Sequence, residues 1–187
     1  MEFIRKHRLV AHPQHGPKSV RSLEVSLWSG SRIMLRYAAE PAGALLLPDH
    51  GFGRVDGLWR RTCFELFVKP SGGGAYREFN FAPLGGWNAY SFSDWRKGMT
   101  PLEAAEPPHL VDGRLDDRRH LFPGRYELDV VLGGELVPTG GGKLSLTAVI
   151  EEEGGTLSYW ALAHPPGPPN FHHPACFTAT LPLIAAE

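Results

Sequence analysis

Apolar and polar residues alternate one for one along much of this chain. Leu23, Val25 and Leu27 alternate with Ser22, Glu24 and Ser26, and Ile33, Leu35 and Tyr37 alternate with Arg32, Met34 and Arg36. A period of two puts the two sets of side chains on opposite faces of an extended strand. These runs therefore predict strands with one core face and one outer face. Further strand signals lie at 62–69, 75–82, 87–93, 124–132, 144–151, 157–164 and 176–181. The best helical window, 102–106, is closed off by Pro101 and Pro107, because proline lacks the backbone donor and clashes with the preceding turn. The 22 glycines and 17 prolines are scattered between the runs as turn punctuation. Many short strands with no long helix predict an all-β antiparallel sandwich of the jelly-roll or immunoglobulin-like two-sheet kind. No linker and no repeat divides the chain, so residues 1–187 are expected to form a single domain.

The densest region runs from Asp56 to Phe92. In its first strand Phe64, Leu66 and Val68 point to a core, while Cys63, Glu65 and Phe67 point the other way. In its second, Phe79 and Phe81 point to the core, while Tyr76, Glu78 and Asn80 point the other way. Ser71-Gly72-Gly73-Gly74 joins the two as a hairpin turn, which brings Glu65 near Glu78 or Asn80 across the ladder. Trp59 precedes this pair and Trp87 follows it. Aromatic rings stack on sugar rings and other flat apolar groups, and Glu and Asn supply directed hydrogen bonds. The plain structural alternative is a solvent face with two carboxylates in water. A glutamate pair also fits glycoside hydrolysis, where retaining enzymes hold two carboxyls about 5–5.5 Å apart, although no further acid–base signature surrounds this one.

Composition narrows the function. The net charge is −1 with acidic and basic residues interspersed, so a nucleic-acid surface is not expected. Arg5, Lys6, His7 and Arg8 make a short basic start that reads as a solvated terminus. No run is long and apolar enough to cross a bilayer or to act as a secretory signal, which makes a cytoplasmic location the expectation. Cys63 and Cys176 do not form a disulfide framework and are expected as free, buried thiols. Thr139–Lys143 is glycine-rich, but Val137 and Leu144 stand where a phosphate loop needs Gly and Ser or Thr. Near the C-terminus, His164, His172 and His173 gather around a proline-rich loop. His164 or His173 could border a ligand site, and His172 and Cys176 with Cys63 could be zinc ligands, although the spacing is no recognised zinc pattern. The alternative is a stiff loop whose histidines bond backbone carbonyls.

The stretch DGLWRRTCFELFV…YREFNFAPLGGWNAY resembles the DOMON-like superfamily, which includes family-nine carbohydrate-binding modules. The positions that carry the resemblance are Asp56, Trp59, Glu65, Phe67, Tyr76, Phe79, Asn80, Pro83 and Gly85. The C-terminal SYWALAHPPGPPNFHHPACF is similar to that of a bacterial subgroup of DOMON-like proteins without an assigned function. The resemblance implies an antiparallel sandwich with a ligand at one face or end. It implies Trp59 and Trp87 as stacking residues and Glu65, Glu78 and Asn80 as polar contacts, to which the reading of the C-terminal loop adds His164 and His173 at the rim. The expected activity is non-catalytic binding of a carbohydrate-like small molecule without a cofactor. The alternative implied by the same family is a b-type haem held by Met and His, for which Met34 and His164 are the candidates.

Overall fold

The computed structural model describes residues 1–112, 124–133 and 135–184. Two sheets face each other. The first has five antiparallel strands, built from β1 (Glu2–Arg8), β3 (Ser22–Ser29), β4 (Ile33–Glu40), β10 (His109–Asp112) and β11 (Tyr126–Leu132), in the order β1-β3-β4-β11-β10. The second contains β2 (Val10–Ala11), β5 (Gly53–Arg54), β6 (Cys63–Pro70), β7 (Tyr76–Phe81), β8 (Gly86–Phe92), β12 (Gly142–Glu152) and β13 (Thr156–Ala161). Their order is β2-β13-β12-β6-β7-β8-β5, with β9 (Thr100–Pro101) beside β8 and β14 (Ala179–Leu181) beside β12. Every pair is antiparallel except β5 with β8. Among the described residues the helical segments are single 3-10 turns, and no helix is long and apolar enough to cross a membrane.

The period-two alternation is realised as the facing surfaces of the two sheets. Leu23, Val25, Leu35 and Tyr37 from the first sheet meet Phe64, Leu66, Phe79 and Phe81 from the second, all essentially inaccessible to water. Burying each such side chain stabilises the fold by roughly 1.5–3 kcal/mol. Tyr37 also donates a 2.7 Å hydrogen bond across the sandwich to the backbone carbonyl of Glu65, which satisfies its hydroxyl inside the core. The basic N-terminal stretch is not a loose terminus. It pairs with β3 as an edge strand, with Lys6 opposite Ser26 and Arg8 opposite Glu24. Residues 162–164 and 176–178, expected within strands, lie outside them. Pro174–Cys176 forms a 3-10 turn instead, and prolines at 165, 166, 168, 169 and 174 supply no backbone donors for a ladder.

The outer face of the second sheet is not open to water. Residues 162–178, the connection from β13 to β14, fold back over it as a lid, and Phe171 and Phe177 pack onto Phe67, Tyr76 and Phe92. A 3-10 turn at Leu58–Arg60 closes one side and carries Trp59. The loop after β8, with Trp95 and Arg96, closes another.

Candidate functional site

Strand parity decides which side chains enter the space under the lid. Glu65 and Phe67 of β6, Glu78 of β7, and Tyr90 and Phe92 of β8 share the outer face. In register, Phe67 stands opposite Glu78, and Glu78 opposite Tyr90. These side chains floor a cavity of about 440 Å³, within the range of small-molecule sites. Trp59, Arg96 and Met99 stand at its mouth, while Tyr159, Phe171 and His172 come from β13 and the lid. Trp59 is 38% exposed and meets Tyr90 edge-on, with ring centroids 6.0 Å apart. A second depression of about 410 Å³ lies beyond His172, bordered by Lys69, Lys143 and Trp95.

The two glutamates are the unusual groups. Glu65 is 2% exposed and Glu78 6%. Thr147 donates to Glu65 Oε2 at 2.9 Å, and Asn80 Nδ2 donates to Glu78 Oε1 at 2.8 Å. Among the described residues neither carboxyl has a lysine or arginine within ion-pair distance, and His172 Nε2 lies 3.7 Å from Glu78 Oε2. Burial raises the pKa of both groups well above the ordinary carboxylate range. The charge of Glu78 adds to the effect on Glu65, and the hydrogen bond from Thr147 opposes it. For Glu78 the opposing influences are Asn80 and the Arg96 guanidinium. Two carboxyls this close and this dry do not both ionise readily.

His172 is fixed by its neighbours. The Tyr76 hydroxyl lies 2.7 Å from His172 Nδ1 and accepts from the Arg96 backbone N–H at 3.2 Å. Burial, and secondly the Arg96 charge, push the His172 pKa down to about 4, so the ring is neutral at pH 7. Tyr76 keeps its proton, since burial raises its pKa, and its hydroxyl shares a hydrogen bond with Nδ1. Edge contacts from Phe67 and Phe92, each 5.2 Å from the ring, hold its plane. On the other flank, Tyr90 and Asn88 both donate to Asp56 Oδ1 at 2.7 Å, which anchors the wall beside Trp59.

Of the residues expected from sequence, Trp59, Glu65 and Glu78 line the cavity. Asn80 lies beneath it, fully buried, bonded to Glu78 and within 3.6 Å of the Cys63 thiol, and so orients the carboxyl from behind. Trp87 is displaced from its expected place. It stands opposite Phe81 on the core face, with the Arg54 guanidinium 4.3 Å above its ring. The reason is parity: Tyr90 shares a face with Glu78, so Trp87, three positions earlier, belongs to the other face. His164 is at the sheet edge, with Nε2 2.9 Å from the Val10 carbonyl and its ring against His12. His173 accepts from the Ala175 N–H and caps the turn Pro174–Cys176. Neither borders the cavity. Phe67, Tyr90 and Phe92 do so without having been singled out as ligand contacts, and His172, expected as a candidate zinc ligand, lines the cavity instead. The alternation that placed Glu65 on the outer face already carried Phe67, and counting on from Glu78 through the register would have found Tyr90.

The candidate metal and haem ligands do not converge. Cys63 lies beside Asn80, whereas Cys176 bonds the Asn170 carbonyl within the lid. Both thiols are free and buried. No group of three His, Cys, Asp or Glu side chains suited to a metal ion occurs among the described residues. Met34 is on the outer face of the first sheet, paired with Trp28 and Val131, while His164 lies beyond the outer face of the second. One iron cannot reach both across a sandwich whose sheets pack about 10 Å apart.

The fold is shared with a solved structure. A chain from Bacteroides uniformis ATCC 8492, titled a "putative carbohydrate-binding protein", superposes with a TM-score of 0.65 at 17% identity, covering 95% of this chain and 85% of that one. No protein-family model and no curated protein matches the sequence. The likeness is one of architecture: a two-sheet β-sandwich spanning nearly the whole chain.

Proposed function

We propose that this protein is a non-catalytic binding module that takes a carbohydrate-like small molecule in the cavity between the second sheet and the lid. The observation that carries this reading is the composition of that cavity. Its walls are mostly aromatic, with Trp59 at the mouth and Phe67, Tyr90 and Phe92 below, and its polar groups converge on a small area at Glu65, Glu78 and His172. A sugar has the matching chemistry, with C–H faces that lie on rings and hydroxyls that need directed partners. The fold shared with the "putative carbohydrate-binding protein" of Bacteroides uniformis is in keeping with this.

The glutamate pair supports binding better than hydrolysis. Both carboxyls project from neighbouring strands of one sheet face, so they meet a ligand from the same side. Each also has one oxygen committed to a structural hydrogen bond. A glycosidase pair instead flanks the scissile bond and needs one member ionised.

The test is calorimetric titration with a panel of mono- and disaccharides against the native protein and Trp59→Ala. Trp59 is partly exposed on a surface turn, so its removal should leave the thermal midpoint nearly unchanged and weaken sugar binding roughly tenfold or more. Undiminished affinity would remove the cavity from consideration, and no heat with any sugar would remove the carbohydrate reading.

A further inference from the structure

The carboxyl pair poses a physical problem that a neutral sugar solves only in part, because its hydroxyls donate hydrogen bonds but bring no charge. Among the described residues Glu65 Oε1 receives no hydrogen bond, and Glu78 Oε2 faces only the His172 ring at 3.7 Å. Both residues are more than nine-tenths buried, and both line the cavity. The nearest lysine or arginine in the cavity is Arg96, at its mouth, where its Nη2 is committed to Asn170 Oδ1 at 3.1 Å. Asp56 adds a third acidic group behind Tyr90. Ionised carboxyls on such a floor are costly for a fold, so the pair either keeps its protons or takes a cationic partner. The surrounding rings make the same demand, because the negative faces of Trp and Tyr attract cations and aromatic walls are a recurrent way of holding an ammonium group.

We infer that the ligand carries an organic ammonium group, seated against the free oxygens of Glu65 and Glu78 and walled by Trp59, Tyr90 and Phe92. This rests on the carbohydrate reading above and narrows it to amino sugars. The ammonium supplies the donors and the charge that the pair lacks, while the sugar ring occupies the aromatic mouth. A cation placed there favours ionised carboxylates, so binding releases carboxyl protons to solvent. Affinity for a permanently charged ligand must then rise with pH until the pair is ionised in the free protein, by up to about tenfold per pH unit for each proton displaced.

Two titration series test this. The first compares matched amine, N-acetyl and hydroxyl forms of glucose, galactose and mannose at neutral pH, with the native protein, Glu65→Gln and Glu78→Gln. The expected result is an amino sugar bound about tenfold or more tighter than its N-acetyl and hydroxyl counterparts, with the preference lost in either Gln variant. Each variant's thermal midpoint confirms its fold. The second series uses choline, whose charge does not titrate, from about pH 5.5 to about pH 8, in two buffers of different ionisation enthalpy. Affinity should rise with pH, with net proton release, and the slope should flatten in Glu65→Gln. Equal or tighter binding of the hydroxyl or N-acetyl sugars would overturn the ammonium inference and leave the carbohydrate reading standing. Choline binding without any sugar binding would uphold the ammonium site and overturn the carbohydrate reading. Failure of every ligand would overturn both.

Discussion

The outer faces of the two sheets are built from the same alternation and have opposite fates. On the first sheet, Arg36 grips Asp129 through two hydrogen bonds of 2.6 and 2.7 Å, and Arg125 reaches Glu127 at 3.0 Å and Glu40 at 3.3 Å. Lys6 meets Glu24 at 3.4 Å. Acids and bases there sit side by side on neighbouring strands, and the face needs no cover. On the second sheet, Glu65 and Glu78 stand among Phe67, Tyr90 and Phe92 beneath the lid. A glutamate at an outward strand position is thus no indication of its surroundings. What distinguishes the two is whether a cation lies on the adjacent strand and whether another segment of chain folds over the top.

Several substitutions would sharpen this contrast. The largest effect is expected at Phe67, which is 1% exposed on a nominally outer face. Phe67→Ala should cost about 3–5 kcal/mol, as for a core phenylalanine. Trp28→Ala, on the outer face of the first sheet and only partly buried, should cost about 1–2 kcal/mol. Chemical denaturation of the two variants separates these values, and similar losses would mean that the lid does not seal its sheet.

Next is the pH dependence of the glutamate pair. Folding raises both carboxyl pKa values. The stability they contribute is therefore fully present below their unfolded value of about 4.3 and is lost as pH climbs through their folded values. The thermal midpoint of the unliganded protein should fall between about pH 5 and about pH 8, with 1 kcal/mol worth roughly 2–4 °C in a chain of this size. Glu65→Gln retains an acceptor for Thr147 and removes the charge, so at the upper end it should exceed the native protein by about 1 kcal/mol or more. A midpoint that follows the native curve across the whole range would show that Glu65 is no drier than its counterparts on the other sheet.

The smaller effects belong to the first sheet. Asp129→Asn weakens a bidentate pair that is largely buried and should cost about 1–2 kcal/mol. Lys6→Ala breaks a pair whose side chains are 51% and 31% exposed, and should cost well under about 1 kcal/mol and less still at high salt.

Most of the sandwich was legible because a half-buried strand writes its orientation into alternate residues. Leu23 to Leu27 and Phe64 to Val68 needed nothing further. Parity fails where the count is interrupted. Between β7 and β8 the chain turns through Pro83–Gly85 with Leu84 at a φ of 64°, and no local pattern states which face resumes at Trp87. The large aromatic there looked like a ligand platform and is a core residue, while Tyr90 and Phe92 do the lining. The lid was illegible for another reason. Residues 165–176 have the proline content of an exposed connection, and only the tertiary structure shows that Phe171 and His172 fold inward. The edge strands β1 and β10 were missed because their partners, not their own alternation, hold them in place.

The lid also divides labour along the chain. It is one uninterrupted segment, and the strands at both its ends, β13 and β14, are laid against β12. Phe171 and His172 enter the cavity from it, whereas the carboxyls and Tyr90 belong to the sheet. A lineage could therefore rewrite the lid through insertions, deletions or wholesale exchange, and acquire new tastes while inheriting the same carboxyl floor. A chimaera carrying a foreign loop between positions 162 and 178 is the laboratory counterpart of that history.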